Sequence, residues 1–230
     1  MSDASEQPVG PSVDATPAGR PEAVSLAGRF GRVEKLDAAR HGAGLWQAVR
    51  GHDRLWTYMF HGPFAQEATF APWLDVRAGL QDPYYVVIVA ATGEPLGLAA
   101  LMSIRPDMRV IEIGHILLSP ALQRSALATE AQYLIARHVF ETLGYRRYEW
   151  KCDALNAPSR RAALRLGFTF EGIFRSHMII KGRSRDTAWF AMLDSEWPAR
   201  KRAFEQWLNA DNFGVDGRQK ARLNEGRSPD

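Results

Sequence analysis

Residues 115–134, HILLSPALQRSALATEAQYL, join two elements of different type. The apolar residues lead to Pro120, which cannot donate a hydrogen bond to a sheet, so a strand is predicted to end there. A helix is predicted to begin between Ser125 and Ala128. The first turn of a helix presents unpaired N–H groups and the positive end of the helix dipole, which suits a phosphate. This stretch alone leaves two interpretations open: an anion-binding turn, with Arg124 adding charge, or a helix start at which Ser125 is only the cap.

The composition limits the classes of protein to which the chain can belong. Its 230 residues, 46% hydrophobic and 24% charged, are ordinary for one substantial globular domain or at most two small ones. Because 29 Lys and Arg are balanced by 26 Asp and Glu, no basic tract is present and no nucleic-acid partner is expected. Cys152 is the single cysteine, which excludes an internal disulfide and a cysteine-rich zinc site, and no metal is expected.

The chain also lacks the sequence signals of membrane insertion and secretion. No apolar run approaches the roughly 20 residues that a membrane-spanning helix needs. The N-terminal stretch has no basic region followed by an apolar core, so it does not have the pattern of a secretory signal. We therefore expect a cytoplasmic protein with no membrane partner.

Periodicity predicts an alternation of strands and helices between two polar tails. Residues 1–25, with four prolines and no aromatic residue, are predicted to be a disordered tail, and 214–230 a flexible one. The folded body is predicted to span 26–213. Its predicted strands are 28–37 (an edge strand), 83–91, 96–106, 109–120, 146–153 and a hairpin over 173–193. Its predicted helices are 39–50, 69–80, 127–145, 157–168 and 198–207. The fold class is therefore α/β or α+β with a mixed central sheet.

Three motifs in a fixed order carry a resemblance to a known family. Gln123, Ala126 and Ala128 occupy the positions of a Q/R-x-x-G-x-G/A signature, and "NAPS" and "LRLGFTFEG" follow at residues 156–159 and 164–172. This region, about 84–193, resembles the GNAT superfamily of acetyl-CoA-dependent N-acyltransferases, in the branch that includes the ribosomal-protein N-terminal acetyltransferases. The sequence departs from the family at Ala126, where glycine is common. Because alanine does not readily adopt a positive φ, the turn should survive if this position has right-handed helical angles.

The resemblance implies a fold and a cofactor site. Two central parallel strands would part, and the pantetheine arm of acetyl-CoA would lie between them on main-chain groups of Ile116 and Leu118. The amide next to Leu118 would polarise the thioester carbonyl. Asn156 would contact the cofactor arm, and Ser159 would lie near the thiolate. The pyrophosphate would be held by the amides of Gln123, Arg124, Ser125, Ala126, Leu127, Ala128 and Thr129.

Transfer to an amine needs a group that accepts the ammonium proton. Simple strand alternation puts Glu112 on one face with Gly114, Ile116 and Leu118, and Glu112 is the preferred base. An ion pair between Glu112 and an arginine is the competing interpretation. His115 is predicted to face the other way and is interpreted as a structural sheet histidine.

The remaining acid–base candidates are fewer. Glu149 is a second choice as base, because Arg146 and Arg147 make a surface ion pair the plainer interpretation. Many relatives carry a tyrosine acid four residues before the glycine of the Gly-Phe pair, but here that residue is Ala163. Ser159 is then the candidate acid, although a thiolate can also leave unaided.

The expected acceptor is a primary amine, in a small molecule or at a protein N-terminus, which reacts directly in a ternary complex. The resembled family builds its acceptor pocket in the aromatic segment that holds Trp46, Trp56, Tyr58, Phe60, Phe64 and Trp73, and His61 is a candidate to line it. Arg183 and Arg185 are interpreted as a solvated hairpin tip, and Asp186 as a candidate contact to the amine. A non-catalytic CoA-binding module is the alternative function, and a homodimer is left open.

Overall fold

The computed structural model describes residues 7–223, so the outermost parts of both predicted tails lie outside the described residues. The strands are β1 (Ser25–Ala27), β2 (Gly31–Lys35), β3 (Tyr84–Ala90), β4 (Pro95–Arg105), β5 (Val110–Leu118), β6 (Arg147–Asp153), β7 (Thr169–Ile180) and β8 (Arg183–Leu193). The longer helices are α1 (Ala38–Val49), α2 (Glu67–Gly79), α3 (Ala126–Arg137), α4 (Ala157–Arg165) and α5 (Trp197–Leu208). A π-helical turn, His138–Thr142, extends α3.

All eight strands form one sheet in the order β1-β2-β3-β4-β5-β6-β8-β7. Every neighbouring pair is antiparallel except β5 and β6, which run parallel and are connected through α3. The pairing of β5 with β6 runs only from Val110 opposite Arg147 to Ile113 opposite Trp150. Since β5 continues to Leu118 and β6 to Asp153, the two strands part over their C-terminal halves. The predicted mixed sheet with splayed parallel strands is confirmed.

The sheet carries a separate apolar core on each face. Ile111 and Ile113 of β5 belong to the core under α3 and α5, together with Trp150 and Phe190. Val87 and Leu98 belong to the other core, under α1 and α2. Because side chains alternate along a strand, β3 and β4 supply residues to both cores, which explains their continuous apolar sequences.

One bulge in β5 changes the alternation that simple periodicity assumes. Between the pairs Leu98–Leu117 and Ala100–Gly114, two residues of β5 lie opposite one residue of β4. The first of them, His115, has φ 48°. An extra residue on one strand shifts every later side chain to the opposite face. The residues of β5 before and after His115 therefore follow different registers.

The packed body is longer than predicted at both ends. The amide of Gly19 donates to the carbonyl of Leu143, and Val24 is buried, although both fall in the predicted N-terminal tail. Strand β1 pairs outside β2, so β2 is not the edge strand that the sequence suggested. At the other end, Gln219 accepts a 2.8 Å hydrogen bond from the Trp207 indole. Composition predicted that these segments would be tails. It did not reveal that their backbone polar groups form hydrogen bonds with the body of the protein.

Within residues 7–223, no helix combines the length and apolar character that crossing a membrane requires.

Candidate active site

The turn between β5 and α3 is closed by side-chain hydrogen bonds. Ser125 caps α3, since its Oγ accepts from the Ala128 amide at 3.0 Å and donates to the Leu122 carbonyl at 2.7 Å. The Gln123 side chain donates to the carbonyl of Leu118 at 3.0 Å and so ties the turn to the end of β5. The positive φ of the turn, 59°, is at Arg124. Ala126 is the first residue of α3 and has no positive φ, so the condition for the turn to tolerate alanine is met.

A cavity of about 390 Å³ lies against this turn. Arg124 and Ala126 form one wall, and the opposite wall comes from the C-terminal region, with Trp207, Phe213, Gly217, Arg218 and Gln219. The side chains of Leu127 and Thr129 are buried away from solvent, so these residues can offer a ligand only their main chain. The amides of Ala126 and Leu127 lie in the first turn of α3, where the helix itself provides no carbonyl to accept their hydrogen bonds.

Asn156 and Ser159 lie where β6 runs into α4. The Asn156 side-chain oxygen accepts from the Ser159 amide at 3.2 Å and caps the helix. The Ser159 Oγ accepts a 3.0 Å hydrogen bond from the Trp150 indole, which leaves its own hydrogen to be donated. Burial raises the pKa of the Cys152 thiol, and a hydrogen bond with Ser159 opposes that rise. Cys152 is buried, as predicted, and the Ser159 hydroxyl lies within reach of its sulfur.

Glu112 is buried in an ion pair with a lysine rather than with an arginine. Its Oε2 accepts from Lys151 Nζ at 2.8 Å and from Ser103 Oγ at 3.1 Å. Lys151 also contacts Glu149 at 2.9 Å and lies 4.0 Å above the Trp189 ring. Sequence reasoning missed this lysine. The signal that could have predicted it is the position of Glu112 and Glu149, which face each other across the parallel pair. Two carboxylates in that arrangement need a cation between them.

Glu149 forms the expected ion pair, but not at the surface. Only 3% of the residue is exposed, and it binds Arg105 at 3.2 Å and Arg147 at 2.8 Å. Burial by itself would raise the pKa of this carboxyl, but hydrogen bonds from Arg147 and Lys151 outweigh it and lower the pKa. The surface interpretation is wrong because the arginines reach inward from the strand ends. A charged, triply paired carboxylate is a poor proton acceptor.

The bulge puts His115 on the same face as Glu112, contrary to prediction. The His115 ring lies 5.4 Å from Phe60 and 5.5 Å from Tyr85, on the α1 and α2 side of the sheet. Ile116 and Leu118 pack instead against the core under α3, so the predicted shared face with Glu112 is wrong for both. Burial, with smaller contributions from the charges of His61, Arg77 and Arg185, lowers the His115 pKa to about 4. The imidazole is therefore neutral at neutral pH.

The loop between α1 and α2 covers this face. Its Tyr58 hydroxyl donates to the Leu155 carbonyl at 3.2 Å, and Lys181 Nζ donates to the Trp56 carbonyl at 2.8 Å. The loop thus spans from the end of β6 to the β7–β8 hairpin. Trp56, Phe64, Phe70 and Trp73 anchor it through contacts between their rings. His61 contacts Arg77 at 2.7 Å beside this cluster.

The β7–β8 hairpin differs from the solvated tip that the sequence suggested. Arg183 is exposed as expected, but Arg185 is only 8% exposed. The Asp186 side chain accepts from the Ser176 amide at 2.7 Å and lines an open cavity of about 720 Å³ with Phe174, Arg175 and His177. Arg185 is buried because a loop that is distant in the sequence contacts it. The composition of the hairpin alone therefore could not reveal its burial.

The predicted acid and base lie on opposite faces of the parted strands. Ser159 contacts Trp150, which belongs to the core under α3, while Glu112 contacts Lys151 on the other face. Ala163, at the position of the family's tyrosine, is fully buried in that first core. A reactive group lying between β5 and β6 would therefore have Ser159 on one side and Glu112 and His115 on the other.

Comparison with known proteins shows the family of the chain. Residues 34–169 match the family model "Acetyltransferase (GNAT) domain". A GCN5-related N-acetyltransferase from Brucella melitensis is 48% identical, with TM-score 0.90, over 92% of this chain and 97% of that chain. A probable GNAT-family acetyltransferase from Chromobacterium violaceum is 40% identical, with TM-score 0.77, over 84% and 100%.

More distant structures share the fold. A ribosomal-protein-S5-alanine acetyltransferase from Vibrio fischeri is 18% identical, with TM-score 0.61, over 76% of this chain and 98% of that chain. Among the curated proteins no match was found. With the family model covering more than half of the chain and two close structural relatives along most of it, the protein belongs to the GNAT family of N-acetyltransferases.

Proposed function

We propose that the protein transfers the acetyl group of acetyl-CoA to a primary amine, by direct attack in a ternary complex. The parting of β5 and β6 immediately before the capped start of α3 is the observation that carries the proposal. Parted strands expose main-chain groups that an extended, amide-containing arm can pair with, as a peptide pairs with a sheet edge. The helix start beyond them supplies donors for a diphosphate.

The chain offers suitable groups along the whole length of such a cofactor. Main-chain groups of Ile116 and Leu118 would bind the arm. The set of free turn amides is smaller than predicted, because those of Gln123, Ser125 and Ala128 already donate within the protein. The amides of Ala126 and Leu127, in the first turn of α3, would bind the diphosphate. Arg124 adds positive charge at the turn, and Arg218 adds more across the 390 Å³ cavity. Asn156 uses its side-chain oxygen in the helix cap, so its NH₂ group is the one that would donate to the arm.

The thioester supplies the activated acetyl group, and the chain's own residues would move the protons. The Ser159 oxygen already accepts from Trp150, so Ser159 would act through its hydroxyl hydrogen. It would donate that hydrogen to the departing sulfur of the thioester in place of its present contact with Cys152. The predicted donor to the carbonyl oxygen, the amide next to Leu118, cannot be that of Ser119, because this amide donates to the Leu96 carbonyl at 3.1 Å. Glu112 would accept the ammonium proton through Oε1, directly or through a water molecule, since Lys151 and Ser103 occupy its Oε2.

His115 is the second candidate for proton acceptor. The bulge brings its neutral ring to the same face as Glu112, beside Phe60 in the covering loop. Lys151 and Ser103 already occupy one oxygen of Glu112, which favours the imidazole. A pKa near 4 makes that imidazole a weak base as well, so we keep Glu112 as the first choice and test the two against each other.

The decisive experiment is a panel of primary amines and short peptides, assayed with acetyl-CoA for release of free thiol. We expect amine-dependent release with at least one acceptor and a product whose mass is increased by one acetyl group. Calorimetry with CoA runs in parallel. Binding of CoA without amine-dependent release across the panel would favour the non-catalytic CoA-binding module, and absence of binding would contradict both functions.

A further inference from the structure

Arg185 is a buried cation without an acidic partner. The residue is 8% exposed, and its Nε is buried without a hydrogen bond. Within residues 7–223, its guanidinium forms no ion pair, and its one defined contact is with the Phe60 ring, at 5.7 Å from the ring centre. Removing a guanidinium from water is unfavourable unless an anion replaces the lost hydration.

Its acidic neighbours are engaged elsewhere. Asp186, next in the chain, accepts from the Ser176 amide. Asp153, which ends β6 opposite Thr187, accepts from the Leu155 amide. The half-buried Arg147 nearby, by contrast, binds both Glu149 and Glu171. Arg77, on the same face, also has no ion pair within residues 7–223, but its guanidinium is hydrogen-bonded to His61 and to the Trp73 carbonyl. Arg185 differs in having no such hydrogen bond among the described residues.

The position of Arg185 places its charge at the mouth of the gap between β5 and β6. Arg185 lies on β8 two residues before Thr187, the first residue of β8 that pairs with β6. Its charge acts on His115 of β5 and on Cys152 of β6, the two strands that part. Phe60 of the covering loop contacts both Arg185 and His115, so its ring forms a wall common to the two side chains.

We propose that Arg185 binds an oxyanion, a carboxylate or a phosphate, carried by the acceptor amine, so that the acceptor is an anionic small molecule such as an amino acid. The inference rests on the proposed acetyl transfer to an amine and names the acceptor's chemical class. A guanidinium donates two parallel hydrogen bonds to a carboxylate or phosphate, which holds the amine at a fixed distance from the cation. The same charge disfavours polyamines, because a second ammonium group would approach Arg185.

The test compares amines that differ only in the anion. The pairs are β-alanine with β-alaninamide, 4-aminobutyrate with 4-aminobutyramide, and O-phosphoethanolamine with ethanolamine. We expect the anionic member of at least one pair to have a kcat/KM about 10- to 100-fold higher, the range for a hydrogen bond to a charged group. The pair with the larger ratio identifies the oxyanion. Equal or reversed ratios in every pair overturn the inference.

Two variants link the preference to this residue. Arg185→Met keeps a long apolar side chain and removes the charge, so we expect it to abolish the preference and to leave the neutral amines within about twofold of wild type. Arg183→Met removes an equal charge from an exposed position on the same strand and should keep the preference. Arg185→Lys keeps the charge but not the two parallel donors, so its preference for the anionic amine should be intermediate. This variant also tests the inference if the Met variant does not fold. A preference unchanged in both Arg185 variants overturns the assignment.

A binding arm separates this inference from the proposed function. The N-acetyl derivatives of the same amines are added with CoA, and the melting temperature is measured without any turnover. Anion-dependent stabilisation of wild type but not of Arg185→Met supports the oxyanion site even if no amine in the panel is acetylated. Equal shifts in the two proteins, or no shift in either, overturn it whether or not acetyl transfer is found.

Discussion

Glu112→Gln separates a catalytic role for this carboxylate from a purely structural one. The substitution keeps the size of the side chain and removes its charge. If Glu112 accepts the ammonium proton, kcat should fall by about 10²- to 10⁴-fold, the usual contribution of a general base. The KM for acetyl-CoA should change little, because Glu112 precedes the parted segment of β5 and lies on the face opposite Ser159. The rise of the rate with pH should also be displaced.

The structural effect of the same substitution is smaller than that of breaking an isolated buried pair. Lys151 keeps its 2.9 Å contact with Glu149 and its position over Trp189, so no buried charge is left alone. The loss should then be that of a hydrogen bond to a charged group, about 1.5–3 kcal/mol, rather than the higher figure for an orphaned charge. For a chain of this size each kcal/mol changes the melting temperature by about 2–4 °C, which gives a fall of about 3–12 °C.

The assay is thiol release at saturating amine, with Ser103→Ala as the matched control. That variant removes the other hydrogen bond to the same Glu112 oxygen and leaves the carboxylate charged, so it should lose stability without a large loss of kcat. A normal kcat in Glu112→Gln, together with a lowered melting temperature, would show that the carboxylate is structural. His115→Gln would then be the next variant to test for the loss of kcat.

Three further predictions concern the turn, the α4 cap and His115. Ala126→Phe should raise the Kd for CoA by about tenfold or more, since the ring would enter the cavity beside the turn; calorimetry showing an unchanged Kd would move the diphosphate elsewhere. Asn156→Ala should raise the KM for acetyl-CoA and, through loss of the helix cap, lower stability by about 1 kcal/mol; an effect confined to the amine KM would contradict the assignment. His115 has a folded pKa of about 4 against 6.5 unfolded, so wild type should lose up to about 3 kcal/mol as pH falls from 6.5 to 4. Denaturant titrations should show a shallower loss in His115→Gln, and identical pH profiles would refute the shift.

The sequence was sufficient for the features set by local chemistry. Pro120 and Ser125 mark the end of a strand and the start of a helix through backbone properties that do not depend on distant residues. The parted strands were not visible in periodicity and came from the family resemblance alone.

The side chains around the site could not be placed from local pattern. Alternation along β5 gave the wrong face for His115 because the extra residue is defined only by pairing with β4. Arg185 was assigned to solvent from the composition of its hairpin. Its burial depends on Phe60, 125 residues earlier in the chain, which that composition does not show. In both cases the missing information is a contact between distant segments, which a single sequence does not contain.

The bulge at His115 accounts for several features of the site at once. The pairing of β5 with β6 stops at Ile113. The next residue, Gly114, pairs with Ala100 of β4, and the bulge follows directly after it. A bulge bends its strand and increases its local twist, so the same distortion that keeps β5 on β4 directs it away from β6 and opens the gap. Because the register then shifts, His115 points toward Phe60, while Ile116 and Leu118 point into the core and leave only their main chain at the gap. A strand without the extra residue would place His115 in the opposite core. One added residue therefore accounts for both the gap between the strands and the neutral imidazole beside it.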